Sequence, residues 1–137
     1  MGGSRPFGRG IGRELRVPGT LIVDDEEDIR LLVRAVIRRA NEGLEVVGEA
    51  ATGEEAVERW REARPDIVLL DYRLPDITGI EAAERILAEH PEQSIILFSA
   101  FLDPDTVRRA TEAGVRACID KGQVNRIPEA LWKYAGT

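Results

Sequence analysis

The chain has only one cysteine and one histidine among its 137 residues. The single cysteine, Cys118, excludes an internal disulfide framework and a cysteine-based zinc cluster. With His90 alone, a metal site built from histidines is not expected. No apolar run approaches the roughly 20 residues that a transmembrane helix needs, and no signal-peptide pattern opens the chain. These absences predict a cytoplasmic protein with no membrane partner.

The rest of the composition is that of an ordinary globular protein, with 43% hydrophobic and 32% charged residues. The net charge of −6 is uneven, because residues 1–19 carry +3 and the remaining residues carry −9. The acidic body argues against nucleic acid as a partner. Residues 1–18 are rich in glycine and arginine without periodicity, which predicts a flexible basic leader. An expression remnant and a basic arm that touches nucleic acid are the alternatives there, and residues 19–135 are expected to form one domain.

From Gly19 onward, short apolar runs alternate with longer amphipathic stretches. The runs "TLIV", "LEVVGEA", "DIVLLD", "SIILFSA" and "ACID" read as strands, and an i, i+3, i+4 apolar stripe follows each of them. Repeated strand-helix alternation favours parallel pairing with right-handed crossovers and helices on both faces. We therefore predict an α/β fold of the flavodoxin-like, doubly wound (βα)5 type, with one five-stranded parallel sheet in the order 2-1-3-4-5.

Polar residues stand at the carboxyl ends of four of the five predicted strands. Asp24 and Asp25 follow the first strand and Asp71 follows the third; Ser99 ends the fourth, and Lys121 follows the fifth. The second strand offers no obvious candidate. In open parallel sheets the ligand site lies beyond the carboxyl ends of the strands. We expect three acids, a hydroxyl and an ammonium to meet there, at what we call the carboxyl edge of the sheet.

Each of these residues also has an ordinary structural explanation. Adjacent aspartates occur at helix N-termini, a serine can satisfy a turn, and a lysine can lie in solvent. As a set, however, the residues fit phosphoryl chemistry. Paired carboxylates bind a hard divalent cation, a further carboxylate can act as a nucleophile, and an ammonium and a hydroxyl can donate to phosphoryl oxygens.

Four segments together resemble the receiver domain of two-component response regulators, namely "LIVDDEEDIR", "PDIVLLDYRLPDITGIE", "IILFSA" and "AGVRACIDKG". The similarity runs from about Thr20 to Tyr134, which is nearly the whole chain. The resemblance implies a stand-alone receiver of the chemotaxis type that acts as a signalling switch and not as a turnover enzyme. Its phosphoryl group would come from a sensor histidine kinase or a phosphotransfer protein.

The resemblance also implies a role for each matched residue. Asp71 would be the phosphoacceptor, and Ser99 and Lys121 would contact the phosphoryl group that it carries. The cofactor would be Mg²⁺, and its ligands would be Asp71, Asp25 directly, Asp24 through water, and the backbone carbonyl of Arg73.

Output is expected to pass through a surface, because the sequence ends soon after the last predicted helix. In the family, this surface is the face of helix 4, strand 5 and helix 5, where a downstream target protein would bind. Trp132 lies off the buried stripe of the last helix, so it is either exposed on that face or a partly buried rim residue. Arg30, Arg34 and Arg38 form an i, i+4 row on the first helix, which predicts a solvated face, with kinase docking as the alternative.

Three positions depart from the common family pattern. Cys118 stands where an aromatic residue usually moves inward on phosphorylation, and we hypothesise that Phe101 takes over this gating or that gating is weakened. Gly122 replaces the proline that often follows the lysine, which puts a cis bond there in doubt. Arg73 places a long cationic side chain beside the acceptor, and we expect it to alter the lifetime of an aspartyl phosphate.

Three other functions compete with the phosphoacceptor interpretation. A degenerate receiver would act only as an unphosphorylated protein-interaction module. A Mg²⁺-dependent phosphohydrolase could use Asp71 as its nucleophile, but it would need a second acid where Arg73 stands, and a substrate cap as well. A receiver cut from a longer transcription factor would have the same sequence features.

Overall fold

A computed structural model describes residues 18–40, 43–100 and 102–135. Strands and helices alternate along the chain: β1 (Gly19–Val23), α1 (Glu27–Ala40), β2 (Glu45–Ala50), α2 (Gly53–Ala63), β3 (Ile67–Leu70), α3 (Gly79–Glu89), β4 (Ser94–Ser99), α4 (Pro104–Ala113), β5 (Ala117–Asp120) and α5 (Ile127–Tyr134). A 3-10 helix, Lys121–Arg126, joins β5 to α5. The predicted leader, apart from Pro18, and the proposed gate Phe101 lie outside the described residues, so both stay predictions.

The strands form one parallel sheet in the order β2-β1-β3-β4-β5, which confirms the predicted fold class. Every residue of β1, β3 and β4 is buried, as expected for strands that are covered on both faces. The edge strand β2 instead includes exposed positions. None of the described helices is long and apolar enough to cross a bilayer.

Alternate residues of the strands point to opposite faces and produce two separate cores. On one face, Leu21, Val68 and Leu97 pack with the buried sides of α2 and α3 and with Ala110 of α4. On the other face, the neighbouring strand residues pack with α1 and α5, and this second core comprises Ile22, Val33, Ile37, Ile67, Leu69, Ile96, Phe98, Ile119, Ile127 and Leu131. Each fully buried aliphatic side chain contributes roughly 1.5–3 kcal/mol to folding. The sheet that carries the carboxyl edge is therefore covered by helices on both faces.

The loop after β3 is fastened to the N-terminus of α2 by Asp76. Its Oδ1 accepts hydrogen bonds from the backbone N–H groups of Gly53 and Ile77, and its Oδ2 accepts one from Glu54, all at 2.8 Å. The first N–H groups of a helix have no partner inside the helix, so a carboxylate there satisfies them and interacts favourably with the helix dipole. Burial acts to raise the pKa of Asp76, but these backbone hydrogen bonds outweigh it and hold the pKa below its usual value.

We expect Asp76→Ala to lower the free energy of unfolding at pH 7 by about 1 kcal/mol, as for other lost helix caps. The folded-state pKa is depressed, so the stabilisation is present above the unfolded pKa of about 3.9 and is lost as the pH falls through the folded value. Urea denaturation should therefore show a difference from the wild type that shrinks below about pH 4. Glu58→Ala, which removes an exposed carboxylate from the same helix, is the matched control. Equal losses in both variants, or a difference that does not change with pH, would contradict this role for Asp76.

Candidate functional site

The predicted site residues lie where four neighbouring strands end. Asp24 follows β1, Asp71 follows β3, Ser99 is the last residue of β4, and Lys121 begins the 3-10 helix after β5. The backbone N–H of Asp71 donates to the carbonyl of Val23 at 3.0 Å, so the parallel pairing of β1 with β3 continues up to the acceptor. Strand order thus brings together residues that are far apart in the sequence.

The ammonium of Lys121 lies between two buried carboxylates. Its Nζ is 2.8 Å from Oδ2 of Asp24 and 3.0 Å from Oδ2 of Asp71. The side chains of Asp24 and Asp71 are only 2% and 6% exposed, and that of Lys121 is 18% exposed. Buried ion pairs of this kind are costly to break, because a lone charge is then left away from water.

Three carboxylates at this edge form a cluster that suits a divalent cation. One oxygen each from Asp24, Asp25 and Asp71 lies within 4.8 Å of the others. The buried Oδ2 of Asp24 receives no well-directed hydrogen bond from the described residues, although Lys121 is close to it. Hard cations such as Mg²⁺ prefer carboxylate oxygens, often together with water and a backbone carbonyl. The donor set therefore fits Mg²⁺.

Burial and crowding determine the ionisation of the acceptor. Burial raises the pKa of Asp71, and the charge of Asp24 adds to this rise. Hydrogen bonds from Lys121 and from the backbone of Arg73 offset part of it, so the pKa of Asp71 remains above its usual value. Burial alone would lower the pKa of Lys121, but its contacts with both aspartates outweigh that effect and keep the pKa above its ordinary value. Lys121 is consequently a fixed positive charge at neutral pH.

The N-terminus of α3 packs directly against the backbone of the acceptor. The N–H of Gly79 donates to the carbonyl of Tyr72 at 2.7 Å. A Cβ on Gly79 would lie 2.1 Å from the backbone carbonyl oxygen of Asp71, so only glycine permits this approach. The helix then begins with a capping box, in which the side chains of Thr78 and Glu81 bind each other's backbone N–H. This packing fixes the backbone on which the Asp71 carboxylate is carried.

Comparison with known proteins identifies the family. The family model of the response regulator receiver domain matches residues 20–131, which is most of the chain. The chain belongs to this family. It is 41% identical over 116 residues to the chemotaxis protein CheY of Thermotoga maritima, a match that covers 84% of this chain and 95% of that protein.

Solved receiver structures share the fold. The response regulator domain of Thermotoga maritima CheB superposes with a TM-score of 0.80 at 26% identity, covering 87% of this chain and 96% of that one. A LuxR-family two-component response regulator from Aurantimonas sp. SI85-9A1 superposes with a TM-score of 0.78 at 31% identity, covering 87% and 88% of the two chains. Both comparisons agree with the observed fold.

In this receiver domain, the three departures from the family pattern can be located. Cys118 is half-buried at the margin of the first core, and burial raises the pKa of its thiol, which favours the protonated form over the reactive thiolate. The peptide bonds of the described residues are all trans, including the one that precedes Gly122. Arg73 is exposed, two residues after the acceptor, and its influence on the lifetime of an aspartyl phosphate stays a prediction.

Two predictions about surface residues need revision. Trp132 is exposed, at 43%, but its ring lies 3.9 Å from the position that a Cβ on Gly43 would occupy, on the side of α5 that faces the α1–β2 connection. The predicted solvated row on α1 is wrong for Arg30, whose side chain is only 17% exposed, while that of Arg34 is 40% exposed. Arg30 and Arg34 both bind Glu49 of β2, and only Arg38 remains as an exposed residue without this contact. The helical period located the row, but it could not show that an edge strand presents a carboxylate beneath it.

We expect Asp71→Asn to unfold at a higher urea concentration than the wild type at pH 7 in the presence of EDTA. Two buried carboxylates share one ammonium in the wild type, so removing one charge should increase the free energy of unfolding by on the order of 1 kcal/mol. The pKa of Asp71 is raised in the folded state, so the wild type becomes less stable than Asp71→Asn as the pH rises above the unfolded pKa. The difference between their free energies of unfolding should vanish below about pH 4.

Added Mg²⁺ should stabilise the wild type more than the asparagine variant, since it binds the complete carboxylate cluster more tightly. Glu84→Gln, at an exposed position of α3, is the control for a simple loss of negative charge. If Asp71→Asn were less stable than the wild type in EDTA, the prediction would be wrong, because Lys121 would then compensate the charges of both carboxylates in full.

Proposed function

We propose that this receiver domain is a phosphoacceptor switch that takes a phosphoryl group onto Asp71 from a sensor histidine kinase or a phosphotransfer protein. The observation that carries the proposal is the contact of one ammonium, that of Lys121, with both Asp24 and Asp71 inside a carboxylate cluster. It supplies a buried nucleophile, a fixed positive charge and oxygen ligands for a cation within one site. Residues 19–135 form the functional unit in this proposal, and its location is the cytoplasm.

The transfer step is a displacement at phosphorus. A carboxylate oxygen of Asp71 forms the new O–P bond while the P–N bond of the donor phosphohistidine breaks. The electron pair of the broken bond stays on the imidazole nitrogen, which can then take a proton from water. The Asp71 carboxylate must be ionised to attack, and Lys121 favours that form by donating a hydrogen bond to it.

Charge on the phosphoryl oxygens is balanced by groups of this chain. Mg²⁺ held by Asp24, Asp25, Asp71 and the backbone carbonyl of Arg73 would supply charge neutralisation and orientation of the incoming group. The Lys121 ammonium is already beside Asp71, and the hydroxyl of Ser99, at the end of the neighbouring strand, can donate to a phosphoryl oxygen. These two donors stay in place whichever donor molecule delivers the phosphoryl group.

Phosphorylation changes the contacts that hold the carboxyl edge in its present arrangement. The Asp71 carboxylate, which now pairs with Lys121, becomes an acyl phosphate whose negative charge lies on the phosphoryl oxygens. The Lys121 ammonium can then pair with these oxygens instead. Such a local charge change can bias a two-state element. We propose that the readout is the face of α4, β5 and α5, because Lys121 directly follows β5, and that a downstream target protein binds there.

Intact-mass measurement after incubation with acetyl phosphate and Mg²⁺ tests the proposal. We expect one phosphoryl adduct per wild-type chain, none when EDTA replaces Mg²⁺, and none in Asp71→Asn. Glu84→Gln should form the adduct as the wild type does, since it lies on the surface of α3. Absence of an adduct from a folded wild type, with both acetyl phosphate and phosphorylated donor protein, would favour an unphosphorylated interaction module instead.

A further inference from the structure

Arg30 connects the edge strand β2 to the loop that carries the acidic pair. Its Nη1 donates to the backbone carbonyl of Asp24 at 2.7 Å, and its Nε donates to Oε1 of Glu49 at 2.9 Å. The side chain is only 17% exposed, although it stands near the start of α1 among exposed residues. One guanidinium thus joins α1, β2 and the β1–α1 loop.

The backbone of Asp24 is held at both of its hydrogen-bonding groups. Its N–H donates to the carbonyl of Ala50, at the end of β2, at 3.0 Å, and its own carbonyl accepts from Arg30. A peptide unit is planar, so the direction of the Asp24 carbonyl sets the plane of the bond to Asp25 and the direction in which Asp25 leaves.

The side chain of Asp25 lacks any comparable support. It is exposed, and no described residue forms a hydrogen bond or an ion pair with its carboxylate. Its position next to Asp24 and Asp71 in the carboxylate cluster therefore depends on the backbone on both sides of it, where the Glu26 N–H donates to Oδ1 of Asp24 at 2.9 Å and Arg30 binds the Asp24 carbonyl. The Asp24 carbonyl is part of the backbone that precedes Asp25, and the Arg30 side chain binds this carbonyl.

Glu49 holds Arg30 in this position. It binds Arg30 through Oε1, while its Oε2 accepts from Nη1 of Arg34 at 2.5 Å. A planar guanidinium with several donors can bind a carboxylate and a carbonyl at once, whereas an ammonium on a flexible chain has a single nitrogen to share. Arg34 shares Glu49 with Arg30, but the structure records no contact between Arg34 and Asp24.

We propose that Arg30 is a positioning residue for the cation site, which orients the Asp24–Asp25 peptide so that Asp25 faces Asp71, with Glu49 as its anchor. This inference rests on the proposed Mg²⁺ site and adds to it a contribution from β2, a strand that supplies no ligand of its own. Residues that orient metal ligands in other proteins typically change metal affinity about 10–100-fold when they are removed.

The sign of the effect separates positioning from simple charge. Arg30 is a cation near a cation site, so its charge alone opposes Mg²⁺ binding, and removing that charge would tighten binding. Loss of an orienting contact would weaken binding instead. Arg34 lies one helical turn further along α1 and has the same charge, but among the described residues its guanidinium forms an ion pair with Glu49 alone, so Arg34→Ala is the matched control.

The test is a Mg²⁺ titration of Arg30→Ala, Arg30→Lys, Arg34→Ala and the wild type, followed by the amide NMR signals of residues 24–26 and 71–73. We expect the Kd for Mg²⁺ to rise about tenfold in Arg30→Ala. Arg30→Lys keeps the charge and much of the packing, yet its Kd should also rise, because one nitrogen cannot serve both Glu49 and Asp24. In Arg34→Ala the Kd should stay within about twofold of the wild type or fall slightly.

Binding as tight as the wild type, or tighter, in Arg30→Ala and Arg30→Lys would overturn the inference while the proposed function stands. An equal rise of the Kd in Arg34→Ala would also overturn it, since general loosening of α1 would then be the cause. A wild type whose amide signals do not respond to Mg²⁺ would instead contradict the proposed function itself. Unfolding in EDTA provides the accompanying measure of stability, so that a loss of fold is not mistaken for a loss of affinity.

Discussion

The contact of the Lys121 ammonium with Asp24 and Asp71 is the interaction on which the site depends. Two carboxylates that are almost fully buried would strongly oppose folding if no positive charge accompanied them. One ammonium relieves this opposition only in part, because a single positive charge faces two buried carboxylates, and burial with the charge of Asp24 raises the pKa of Asp71. The site therefore retains an affinity for further positive charge, which is what a cation-dependent phosphoacceptor requires.

The parallel sheet is what makes this contact possible. Asp71 and Lys121 are separated by 50 positions in the sequence, but each directly follows a strand, and all the strands point the same way. β1, β3 and β4 are fully buried, so the strand ends that precede Asp24 and Asp71 belong to strands covered on both faces. The loops around the acceptor are then fixed by local bonds, namely those of Asp76 to α2 and of Gly79 to the backbone after Asp71. Rigid strands thus position the charges, and the loops set their final orientation.

Sequence reasoning was most successful where one physical rule dominates. Continuous apolar runs predicted the inner strands, and β5 has the bounds of the run "ACID". The rule that ligands bind beyond the carboxyl ends of strands brought Asp71 and Lys121 together without any contact information. It also correctly grouped the acidic pair with the acceptor.

The residues that were missed act across elements and have no periodic signal. Glu49 sits on an edge strand whose alternation of buried and exposed residues is weak, so nothing in the sequence marked it as a partner for Arg30 and Arg34. Asp76 reads as an ordinary loop residue, because two of its three N–H partners, those of Gly53 and Glu54, become neighbours only when the loop folds against α2. The side of α5 on which Trp132 lies was missed as well, because it is defined by the nearby position of Gly43 and not by helical periodicity.

Reductive trapping identifies which residue becomes phosphorylated, and the proposed phosphoacceptor is Asp71. Borohydride reduces an acyl phosphate to an alcohol, so treatment of the protein phosphorylated with acetyl phosphate and Mg²⁺ should convert the modified aspartate to homoserine. Peptide mass mapping is expected to find homoserine at position 71 alone. Homoserine at position 24 or 25, or an adduct that survives with every aspartate unchanged, would show that Asp71 is not the phosphoacceptor.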